Sequence, residues 1–593
     1  MLRTHKCSEL NLKNVGETVK LSGWVSNRRD HGGIIFIDLR DRYGLTQVVF
    51  DPEDDASSHS TASDFRSEYV IQIEGVVRSR PEGQNNPNLA TGEIEVIVKN
   101  TTLLSRSKTP PFELDDHGEL ANEEIRYKHR YIDLRRRKAL ENVEFRSRFL
   151  NYTRNWFTSH EFLDVQTPIF TVSSPEGARD FVIPSRLHPG KFYALPQAPQ
   201  QYKQLLMVGG IDKYFQIAPC FRDEDPRADR HACEFYQIDC EMSFVEQADI
   251  FSVVESYIKD VVASLSPKTV MDNKFYSMSY EESMENYGTD KPDLRFGLKF
   301  VDLTDIFLES EFSVFKSVAT TGGVIKSIKL ECKSMSRSEI DDLTKVAQKA
   351  GAKGLAYIIY DDNEEGGKKS PILKFMGEAE IKEMEARLQP KNGDIVFFSA
   401  DEYLKAVKIL NVVRLALRDK FELADKNTLA FCWVTDFPMF EESDINGKID
   451  FAHNPFSMPK GGIEAFNNDD LLSIQSVQYD LACNGFEILS GSIRNHDVES
   501  LVKAFEKVGR KKQEVMDKFG AMYEAFQYGV PPHGGFAIGM DRFMMILKDE
   551  NNIREVYAFP KSGKAQDLMM NAPSVIDREQ LDELHIEIKE ELE

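Results

Sequence analysis

The chain has 593 residues, too many for one hydrophobic core, so its length predicts three or four domains. It is 41% hydrophobic and 29% charged, with no run of 18 apolar residues and no apolar signal core at its start, which argues against a membrane or secreted protein. A net charge of −23 argues against indiscriminate nucleic-acid binding, DNA included, but permits contact with RNA at a local basic site.

The seven cysteines are scattered along the chain, and none belongs to a CxxC pair. This pattern argues against a zinc knuckle and against a disulfide framework. It is typical of thiols in a reducing cytosol, so we expect a cytoplasmic protein.

Residues 17–103 are predicted to be β-structure. Segments such as "TVKLSGWVSNRR" and "YVIQIEGVVRSR" alternate apolar and polar residues with a period of two, and Gly, Asp and Asn separate them. Five short strands in this length predict a small closed barrel. An OB-fold is one candidate, and a fragment of a β-sandwich is the alternative.

A helical region follows a proline-containing polar break at residues 107–116. From 123 to 160, Leu, Phe and Arg recur at spacings of three and four. Residues 122–154 carry ten Lys or Arg against five Asp or Glu, which indicates either a basic surface for phosphates or a solvated helix with ion pairs. The next segment, "FLDVQTPIF", predicts a strand that ends at Pro168.

Residues 285–425 differ in sequence pattern from the segments on either side. Within them, "SIKLECKSMSRSEIDDLTKVAQKAGAKGLAYIIYDD" is typical of a strand, a helix and a second strand, which predicts an inserted α/β domain. The glycine-lysine loop "EEGGKKS" lacks the spacing of a Walker loop. More β-rich segments follow, and the chain closes with "GGFAIGMDRFMMIL" and an acidic tail.

Three stretches, taken in order, resemble the signature motifs of class II aminoacyl-tRNA synthetases: "EFLDVQTPIF", "FRDEDPRADRHACEFYQIDCEMSF" and "GGFAIGMDRF". Further segments, among them "SPEGARDF", "QAPQQYKQLLM" and "HNPFSMP", are similar to the bacterial-type aspartyl-tRNA synthetases. The resemblance covers nearly the whole chain, and it likens the insertion to that family's GAD-type domain.

Together these patterns predict a multidomain α+β protein whose antiparallel catalytic sheet is split by an insertion. The predicted boundaries are 1–108 for an OB-fold anticodon-binding domain, 109–140 for a hinge, 141–284 and 426–560 for the two parts of the catalytic domain, 285–425 for the GAD-type insertion, and 561–593 for a C-terminal extension.

The residue types suit amino-acid activation on chemical grounds. That reaction places a carboxylate in line with the α-phosphate of ATP, so guanidinium groups and Mg²⁺ are the natural stabilisers of the developing charge. Arginine grips phosphate or carboxylate bidentately, which lysine does not do. No nucleophile is required, and the chain contains no GxSxG elbow.

The resemblance implies an ATP site built on Arg222 and Arg542 as the catalytic arginines. Arg222 would hold the substrate α-carboxylate and the reacting phosphate, and Arg542 the far end of ATP. Phe235 would stack on adenine, and Glu224 would meet its edge. The implied ATP-binding set is Arg222, Asp223, Glu224, His231, Phe235, Glu487, Gly539, Met540, Asp541 and Arg542. Asp480 and Glu487 would hold Mg²⁺, a hard cation that prefers oxygen ligands.

The resemblance also implies an aspartate site. Lys203 and Arg494 would receive the side-chain carboxylate, which should reject asparagine because a buried cation pair would lose its anionic partner. Gln200, Gln237 and Asp239 would accept bonds from the amino group. Glu176 and His453 lie on segments that close over the substrate in this family. The full implied set is Glu176, Gln200, Lys203, Arg222, Gln237, Asp239, His453 and Arg494.

Two departures from the family pattern affect these assignments. Asn454 stands where many relatives have a second histidine, so a role that needs two histidines is in doubt. The segment "ADRHACEF" is one residue longer than the common "ADRQPEF", which places His231 where a glutamine often contacts ATP.

The predicted anticodon-binding domain would recognise RNA through other interactions, because OB-folds splay single-stranded bases and stack them on aromatic side chains. By resemblance Phe36 is the stacking residue, and Arg28, Gln47 and Glu93 read base edges. For Phe36 alone, a place in the barrel core is the alternative. His31 and Gly83 match relatives with relaxed anticodon discrimination, which accept tRNA(Asn) as well as tRNA(Asp).

The predicted activity is a two-step aspartate–tRNA ligase that uses ATP, L-aspartate and Mg²⁺, acts as a homodimer through residues 162–168, and charges tRNA(Asp) and also tRNA(Asn). A discriminating enzyme for tRNA(Asp) alone is the alternative. Three other hypotheses remain: a sister synthetase for asparagine or lysine, a tRNA-binding paralogue that has lost its phosphate arginines, and a tRNA-independent aspartate-activating enzyme without the barrel.

Overall fold

The computed structural model describes residues 1–115, 118–173, 178–228, 231–443 and 447–589. These residues divide into two compact units. The first comprises Met1–Phe145 and Tyr557–Ser574, and the second comprises Arg146–Val556 and the described residues from Val575 onward. Among the described residues, no helix combines the length and the apolar character that a membrane span requires.

The helices and strands are numbered in chain order. The helices are α1 (Ala56–Ser63), α2 (Glu123–Lys128), α3 (Arg130–Asp133), α4 (Arg137–Ser159), α5 (Gln200–Val208), α6 (Gln247–Leu265), α7 (Tyr280–Tyr287), α8 (Ser313–Thr320), α9 (Arg337–Lys349), α10 (Glu378–Leu388), α11 (Tyr403–Phe421), α12 (Val498–Lys507), α13 (Lys512–Ala525), α14 (Met540–Leu547) and α15 (Arg578–Glu583). The strands are β1 (Thr18–His31), β2 (Ile34–Arg40), β3 (Leu45–Phe50), β4 (Val70–Ser79), β5 (Ile94–Ser105), β6 (Leu163–Asp164), β7 (Val182–Pro184), β8 (Phe192–Ala194), β9 (Lys213–Phe221), β10 (Glu234–Ser243), β11 (Thr269–Val270), β12 (Tyr276–Ser279), β13 (Val301–Asp302), β14 (Val324–Leu330), β15 (Ala356–Tyr360), β16 (Lys368–Lys369), β17 (Ile395–Asp401), β18 (Thr428–Leu429), β19 (Phe431–Thr435), β20 (Phe440–Glu442), β21 (Ile449–Phe451), β22 (Gln478–Cys483), β23 (Phe486–Ile493) and β24 (His533–Gly539).

Residues 1–115, all of them described, contain a closed barrel with strand order β1–β2–β3–β5–β4. Strand β2 shows why it closes, because Ile35, Ile37 and Leu39 are buried while the residues between them are half-buried on the outer face. The predicted barrel is therefore confirmed. Phe36 lies on the outer face, so its alternative place in the barrel core is wrong.

The basic region after the barrel is helical, as predicted, and part of its charge is internal. Asp133 is fully buried and accepts hydrogen bonds from Arg126, Arg130 and Arg136. Burial opposes the charge on Asp133, but the surrounding guanidiniums overcome this effect and lower its pKa. These three arginines therefore form an ion-pair core rather than a phosphate-facing surface.

In the second unit, the described residues form a large sheet with strand order β12–β19–β22–β23–β24–β10–β9–β6. The strands from β19 to β9 pair antiparallel, whereas the two edge strands, β12 and β6, pair parallel with their neighbours. Helices α4 and α6 cover one face, where Phe157 stacks on Phe215 and Tyr257. The prediction of an antiparallel catalytic sheet is confirmed for its central strands.

The strand predicted at "FLDVQTPIF" is wrong for most of its length. Strand β6 contains just Leu163 and Asp164, and residues 165–170, all of them described, belong to no strand. Ile169, Phe170 and Val172 are 45%, 60% and 61% exposed, so these apolar side chains do not contribute to the core of this chain. A period-two apolar pattern does not distinguish a strand from a surface that another chain covers.

The predicted α/β insertion contains a separate antiparallel sheet with strand order β13–β14–β17–β15–β16 in the described residues. Helices α9 and α11 pack on one of its faces and helices α8 and α10 on the other. Strand β12 precedes this insertion and β19 follows it, and the two strands pair in parallel register. The insertion therefore leaves and rejoins the large sheet at one edge.

Candidate active site

A cavity of about 790 Å³ lies on the face of the large sheet opposite α4 and α6. The alternation of side chains along strand β10 explains why this part of the cavity wall is polar. Gln237 and Asp239 line the cavity, whereas Ile238 and Cys240, which alternate with them, are buried on the other face. A single strand therefore supplies the hydrophobic core and the chemical groups of the site.

Four buried charged side chains form one cluster, which we call the charge cluster: Lys203, Asp239, Glu241 and Arg494. The ammonium of Lys203 lies 3.2 Å from Asp239 Oδ2 and 3.3 Å from Glu241 Oε2. Arg494 donates from Nε and Nη2 to the two Glu241 oxygens at 2.8 and 3.0 Å. The structure thus brings together Lys203, Asp239 and Arg494, as the sequence predicts.

The two carboxyls of the charge cluster differ in their pKa. Burial raises the pKa of Asp239 to about 6, although Lys203 opposes the shift. Burial acts in the same direction on Glu241, but Arg494 and Lys203 outweigh it and lower its pKa to about 2. Glu241 is therefore a fixed anion between two cations, and Asp239 titrates nearer to neutral pH.

Glu241 is a member of the site that the sequence interpretation missed. Gly535 on β24 pairs with Glu241 on β10, and a Cβ at Gly535 would overlap the Glu241 carboxylate. The "GG" of "GGFAIGMDRF" lies within β24, and a close approach of neighbouring atoms explains both glycines. Since Glu241 lies two residues after Asp239, strand periodicity places it on the same face, and this was the signal that could have found it.

The "FRDEDPRADRHACEF" segment begins at the last residue of β9 and ends in β10, and several of its described residues line one end of the cavity. The guanidinium of Arg222 lies 5.1 Å from the centroid of the Phe235 ring, and its buried Nε has no hydrogen-bond partner among the described residues. Glu224 and His231 also line the cavity. Burial lowers the pKa of His231, and Arg542 and Arg222 contribute to the lowering.

The remaining predicted ATP residues divide into two groups. Gly539, Glu487 and Arg542 line the cavity, and Arg542 donates to the backbone carbonyl of Glu487. Asp223, Met540 and Asp541 form the second group.

The structure shows the surroundings of these three residues, and their part in ATP binding stays a prediction. Asp223 is exposed, and its backbone bonds to Arg179. Met540 is buried in the core. Asp541 touches the cavity, but its carboxylate accepts from Arg146 at 2.5 Å and from the Tyr236 amide at 2.8 Å. It therefore supports the strand that carries Phe235.

A second group of carboxylates lies at the edge of the site. One oxygen each from Asp290, Asp480 and Glu487 lies within 4.8 Å of the others. Asp480 is buried, and its Oδ1 has no hydrogen-bond partner in the described part of the chain. Burial and the neighbouring Glu487 raise its pKa well above the ordinary value. This donor set fits Mg²⁺, since it offers hard oxygen ligands and carries charge that a cation would offset.

His453 lies near these carboxylates. Its ring packs edge-on against Phe437 with centroids 5.2 Å apart, and desolvation lowers its pKa against the opposing effect of Asp290 and Glu487. Asn454, the departure from the family pattern, caps a turn by accepting from the Phe456 amide at 2.8 Å. A structural role thus explains the asparagine at this position.

Two further predicted substrate contacts lie in the cavity. Gln200 begins helix α5, is buried, and has an amide nitrogen without a hydrogen-bond partner among the described residues. Gln237 accepts from the Cys220 thiol at 3.4 Å. Glu176 lies outside the described residues.

The barrel carries the predicted anticodon readers on its outer face, with one correction. Gln47 pairs across strands with Asp38, which shares a face with Phe36. Arg28 pairs with the buried Ile37 and donates to the Ala62 carbonyl at 3.2 Å, so it belongs to the opposite face. A register shift in β1 between Val25 and Asn27 inverts the expected alternation.

Arg29 takes the position predicted for Arg28. It pairs directly with Phe36, forms a bidentate ion pair with Asp38 at 2.6 and 2.9 Å, and donates to Gln47 at 3.3 Å. Nearby, Arg80 has a buried Nη2 without a hydrogen-bond partner among the described residues. Glu93 is exposed just before β5.

The two predicted discrimination residues are also at the surface. His31 ends β1, and its ring lies edge-on to Phe36 with centroids 6.1 Å apart. Gly83 has φ +79°, and a Cβ there would point into open space. His31 therefore adjoins the stacking residue, and Gly83 lies in an open loop.

Two family profiles match the chain. That of "tRNA synthetases class II (D, K and N)" covers residues 122–563, and that of the OB-fold nucleic acid binding domain covers residues 19–104. The curated relatives include the "Aspartate--tRNA(Asp/Asn) ligase" of Rickettsia africae (strain ESF-5), 47% identical over 98% of this chain and 97% of the relative. The enzyme of the same name from Prosthecochloris aestuarii is 47% identical over 99% and 96%.

Solved structures with the same fold include asparaginyl-tRNA synthetase from Pyrococcus horikoshii complexed with asparaginyl-adenylate. It matches with a TM-score of 0.57 and 19% identity over 95% of this chain and 99% of that one. Aspartyl tRNA synthetase from Entamoeba histolytica matches with a TM-score of 0.57 and 18% identity over 94% and 91%. At these identities the similarity establishes the fold.

We expect Glu241→Gln to destabilise the second unit, because Lys203 and Arg494 would lose the anion that they share. Removing one partner from a buried charge group costs about 3–5 kcal/mol, enough to lower the thermal midpoint by several degrees. Glu383→Gln is the control, since Glu383 belongs to an exposed pair with Arg387 and should change stability by less than about 0.5 kcal/mol. Equal midpoints for the two variants would contradict the role assigned to Glu241.

Proposed function

Because the chain belongs to the class II tRNA synthetases that comprise the D, K and N enzymes, we propose that it attaches L-aspartate to tRNA(Asp) and to tRNA(Asn). The charge cluster carries this proposal. Two buried cations, Lys203 and Arg494, share Glu241 at the end of the cavity and can receive a second carboxylate. Curated relatives that match this chain over nearly its full length are named for both tRNAs.

The charge cluster explains the choice of amino acid. The side-chain carboxylate of aspartate would meet Lys203 and Arg494, and its ammonium would meet ionised Asp239 and the polar groups of Gln200 and Gln237. Asparagine offers a neutral amide to the same cations and leaves them without the added anion. Lysine would bring a third cation. This charge balance favours aspartate over both sister substrates.

The first step joins aspartate to ATP. An oxygen of the α-carboxylate attacks the α-phosphorus, and the bond to pyrophosphate breaks, giving aspartyl-adenylate. Arg222 has a buried Nε available to the carboxylate and phosphate, and Arg542 lies on the same cavity wall. These guanidiniums orient the reactants and stabilise charge, so no protein nucleophile is needed. Asp480 and Glu487 would hold the Mg²⁺ that accompanies ATP, and the ion would offset phosphate charge.

The second step transfers aspartate to tRNA. The 3′-hydroxyl of the terminal adenosine attacks the carbonyl carbon of the adenylate, and AMP leaves. At the other end of the substrate, Phe36 offers a half-buried stacking surface, with Gln47, Arg29 and Glu93 as candidate readers of base edges. His31 and Gly83 support the broader tRNA choice, and a discriminating enzyme for tRNA(Asp) alone is the runner-up.

Two of the remaining hypotheses conflict with the residues present. A non-catalytic paralogue should have lost its phosphate arginines, whereas Arg222, Arg494 and Arg542 all line the cavity. A tRNA-independent enzyme should lack the barrel that β1–β5 form. The seven cysteines, all within the described residues, are thiols rather than disulfides, which supports a cytoplasmic location.

A homodimer is the proposed assembly. Leu163, Ile169, Phe170, Val172 and Phe192 are each 45–61% exposed and come from one region at the β6 edge of the large sheet or from the β7–β8 hairpin that follows. Large apolar side chains that remain exposed in a group favour an interface between copies of the chain.

Aspartate-dependent ATP–pyrophosphate exchange tests the activity and the role of Asp239 together. Since the pKa of Asp239 is raised to about 6, its carboxylate is ionised above pH 6 and protonated below. We expect kcat/KM for aspartate to fall by up to about tenfold per pH unit below pH 6, because the substrate ammonium loses its partner. Asp239→Asn should lower kcat/KM at pH 7.5 and remove this inflection.

Asp305→Asn is the control for that experiment, because Asp305 forms an exposed pair with Arg387 in the inserted domain. Its pH profile should match that of the parent chain. Absence of exchange with aspartate would reject the proposed activity. Exchange with an unchanged inflection in Asp239→Asn would reject the assignment of the ammonium site and leave the activity standing.

Charging of the two tRNA transcripts, measured side by side, tests the broader tRNA choice. We expect the rate with tRNA(Asn) to exceed about a hundredth of the rate with tRNA(Asp). The double variant His31→Leu, Gly83→Lys should depress charging of tRNA(Asn) at least about tenfold more than that of tRNA(Asp). Gly83→Asn is the matched control, since asparagine tolerates a positive φ and adds no cation.

Sedimentation equilibrium tests the assembly. We expect about twice the chain mass of 67.7 kDa. Phe170→Asp should shift the protein toward the monomer, because it places a charge within the proposed interface. Tyr528→Asp changes an aromatic that is 76% exposed elsewhere and should leave the mass unchanged. A monomer before any substitution would exclude the homodimer.

A further inference from the structure

The third carboxylate of the acidic group, Asp290, has an origin different from the other two. Asp480 and Glu487 belong to the antiparallel pair β22–β23 of the large sheet. Asp290 comes from the segment after α7, where the chain passes from the large sheet into the inserted domain. The three carboxylates lie within 4.8 Å of one another, and Asp480 Oδ1 is buried without a hydrogen-bond partner among the described residues. A cation bound by Asp480 would therefore be within reach of Asp290.

Residues 288–298, which we call the clamped loop, are held by helix α11 of the inserted domain. Arg414 of α11 is fully buried and donates to backbone carbonyls of the loop: those of Asp293 at 2.9 Å, Phe296 at 3.1 Å, Gly297 at 2.9 Å and Leu298 at 3.2 Å. Its guanidinium also lies 4.0 Å from the centroid of the Phe296 ring. One side chain thus fixes the backbone just after Asp290.

The other end of the clamped loop contacts the same helix. Gly288 has φ +66°, and a Cβ at this position would overlap the carbonyl of Val407 on α11. Arg418, one turn beyond Arg414, forms an ion pair with the buried Asp293 at 3.1 Å. Contacts with α11 therefore lie on both sides of Asp290, and they restrict where its carboxylate can point.

We propose that Asp290 is a third ligand of the divalent cation at Asp480 and Glu487, and that the inserted domain positions it through the clamp of Arg414 on residues 288–298. Asp290 is then a binding residue, and Arg414 is a positioning residue that acts through the backbone. The part of the ion in ATP activation rests on the proposed function, whereas metal binding by the three carboxylates does not.

Lys291 offers a second test of the proposal, because its removal should change cation affinity in the opposite direction to the removal of Asp290. Its ammonium lies 3.1 Å from Asp290 Oδ1 and 3.4 Å from Oδ2, and Thr289 donates to Oδ1 at 3.4 Å. Lys291 therefore competes with a cation for the same oxygens. Removing the ammonium should tighten metal binding, whereas removing the carboxylate should weaken it.

The test is a titration of the full chain with Mn²⁺, without nucleotide, in which electron paramagnetic resonance measures the free ion. We expect Asp290→Asn to weaken Mn²⁺ binding by about tenfold or more and Lys291→Met to tighten it severalfold. Arg414→Gln should weaken binding by about tenfold while each carboxylate ligand is retained. The same variant should raise the Mg²⁺ concentration for half-maximal exchange, with the rate recovering at high Mg²⁺.

Arg418→Gln and Gly288→Ala are alternative clamp variants, in case loss of the buried Arg414 unfolds the inserted domain. Arg418 is partly exposed, so its loss should leave the fold intact and weaken Mn²⁺ binding in the same direction. Arg387→Gln is the control, because Arg387 lies on α10 in an exposed ion pair and should leave Mn²⁺ affinity unchanged.

Each outcome decides one part of the proposal. Unchanged Mn²⁺ affinity in Asp290→Asn overturns Asp290 as a ligand. Weakened affinity in Asp290→Asn, with parent-like affinity in folded Arg418→Gln and Gly288→Ala, overturns the positioning role of the inserted domain. If the parent chain binds Mn²⁺ as expected but lacks aspartate-dependent exchange, the proposed function fails and the ligand assignment stands.

Discussion

The carboxylate of Glu241, held between Lys203 and Arg494, is the interaction on which the cavity depends. Two cations cannot remain buried at one end of a sheet without an anion, because desolvation costs several kcal/mol for each charge. A single carboxylate that accepts from both cations keeps each within reach of a further anionic partner. The site can therefore bind a second carboxylate without exposing its cations to water.

The sheet geometry makes this arrangement possible. Strand β10 places Gln237, Asp239 and Glu241 on one face at a spacing of two residues, and β24 crosses it where Gly535 leaves room for the carboxylate. The opposite face of β10 carries Ile238 and Cys240 in the hydrophobic core. Packing of that face against α4 and α6 fixes the strand, and the fixed strand fixes the spacing of the charges. Selectivity for a charged ligand thus follows from ordinary core packing on the other side.

Local patterns predicted much of this architecture. Period-two alternation predicted the barrel, and the strand–helix–strand order predicted for the insertion was correct. The resemblance to the synthetase motifs assigned Lys203, Arg222, Arg494 and Arg542 to one site, and all four line the cavity. The assignment of Arg28 as a reader of base edges came from the resemblance, and the register of the barrel places that side chain on the other face. The register shift after Val25 exchanged the faces of Arg28 and Arg29, and a sequence does not reveal which strand residue is unpaired.

Other features depend on contacts between residues far apart in the chain. Asp290 is 190 positions from Asp480 in the numbering, and only the folded sheet brings the two carboxylates together. The prediction of a strand at 162–170 was wrong for a related reason. Apolar side chains such as Ile169 and Phe170 indicate burial, but the sequence does not say whether the partner is this chain or another one.

The position of the insertion explains why it can influence the cation site. Strands β12 and β19, which precede and follow it, are parallel neighbours, so the chain leaves and returns at one edge of the large sheet. Residues 288–298 lie on the outgoing connection, and α11 forms the returning one. Arg414 therefore links the two connections between the inserted domain and the large sheet. The link consists of hydrogen bonds from one buried guanidinium to several backbone carbonyls. A domain joined to a catalytic sheet in this way acts on the site through its attachment, and its own surface need not contact the substrate.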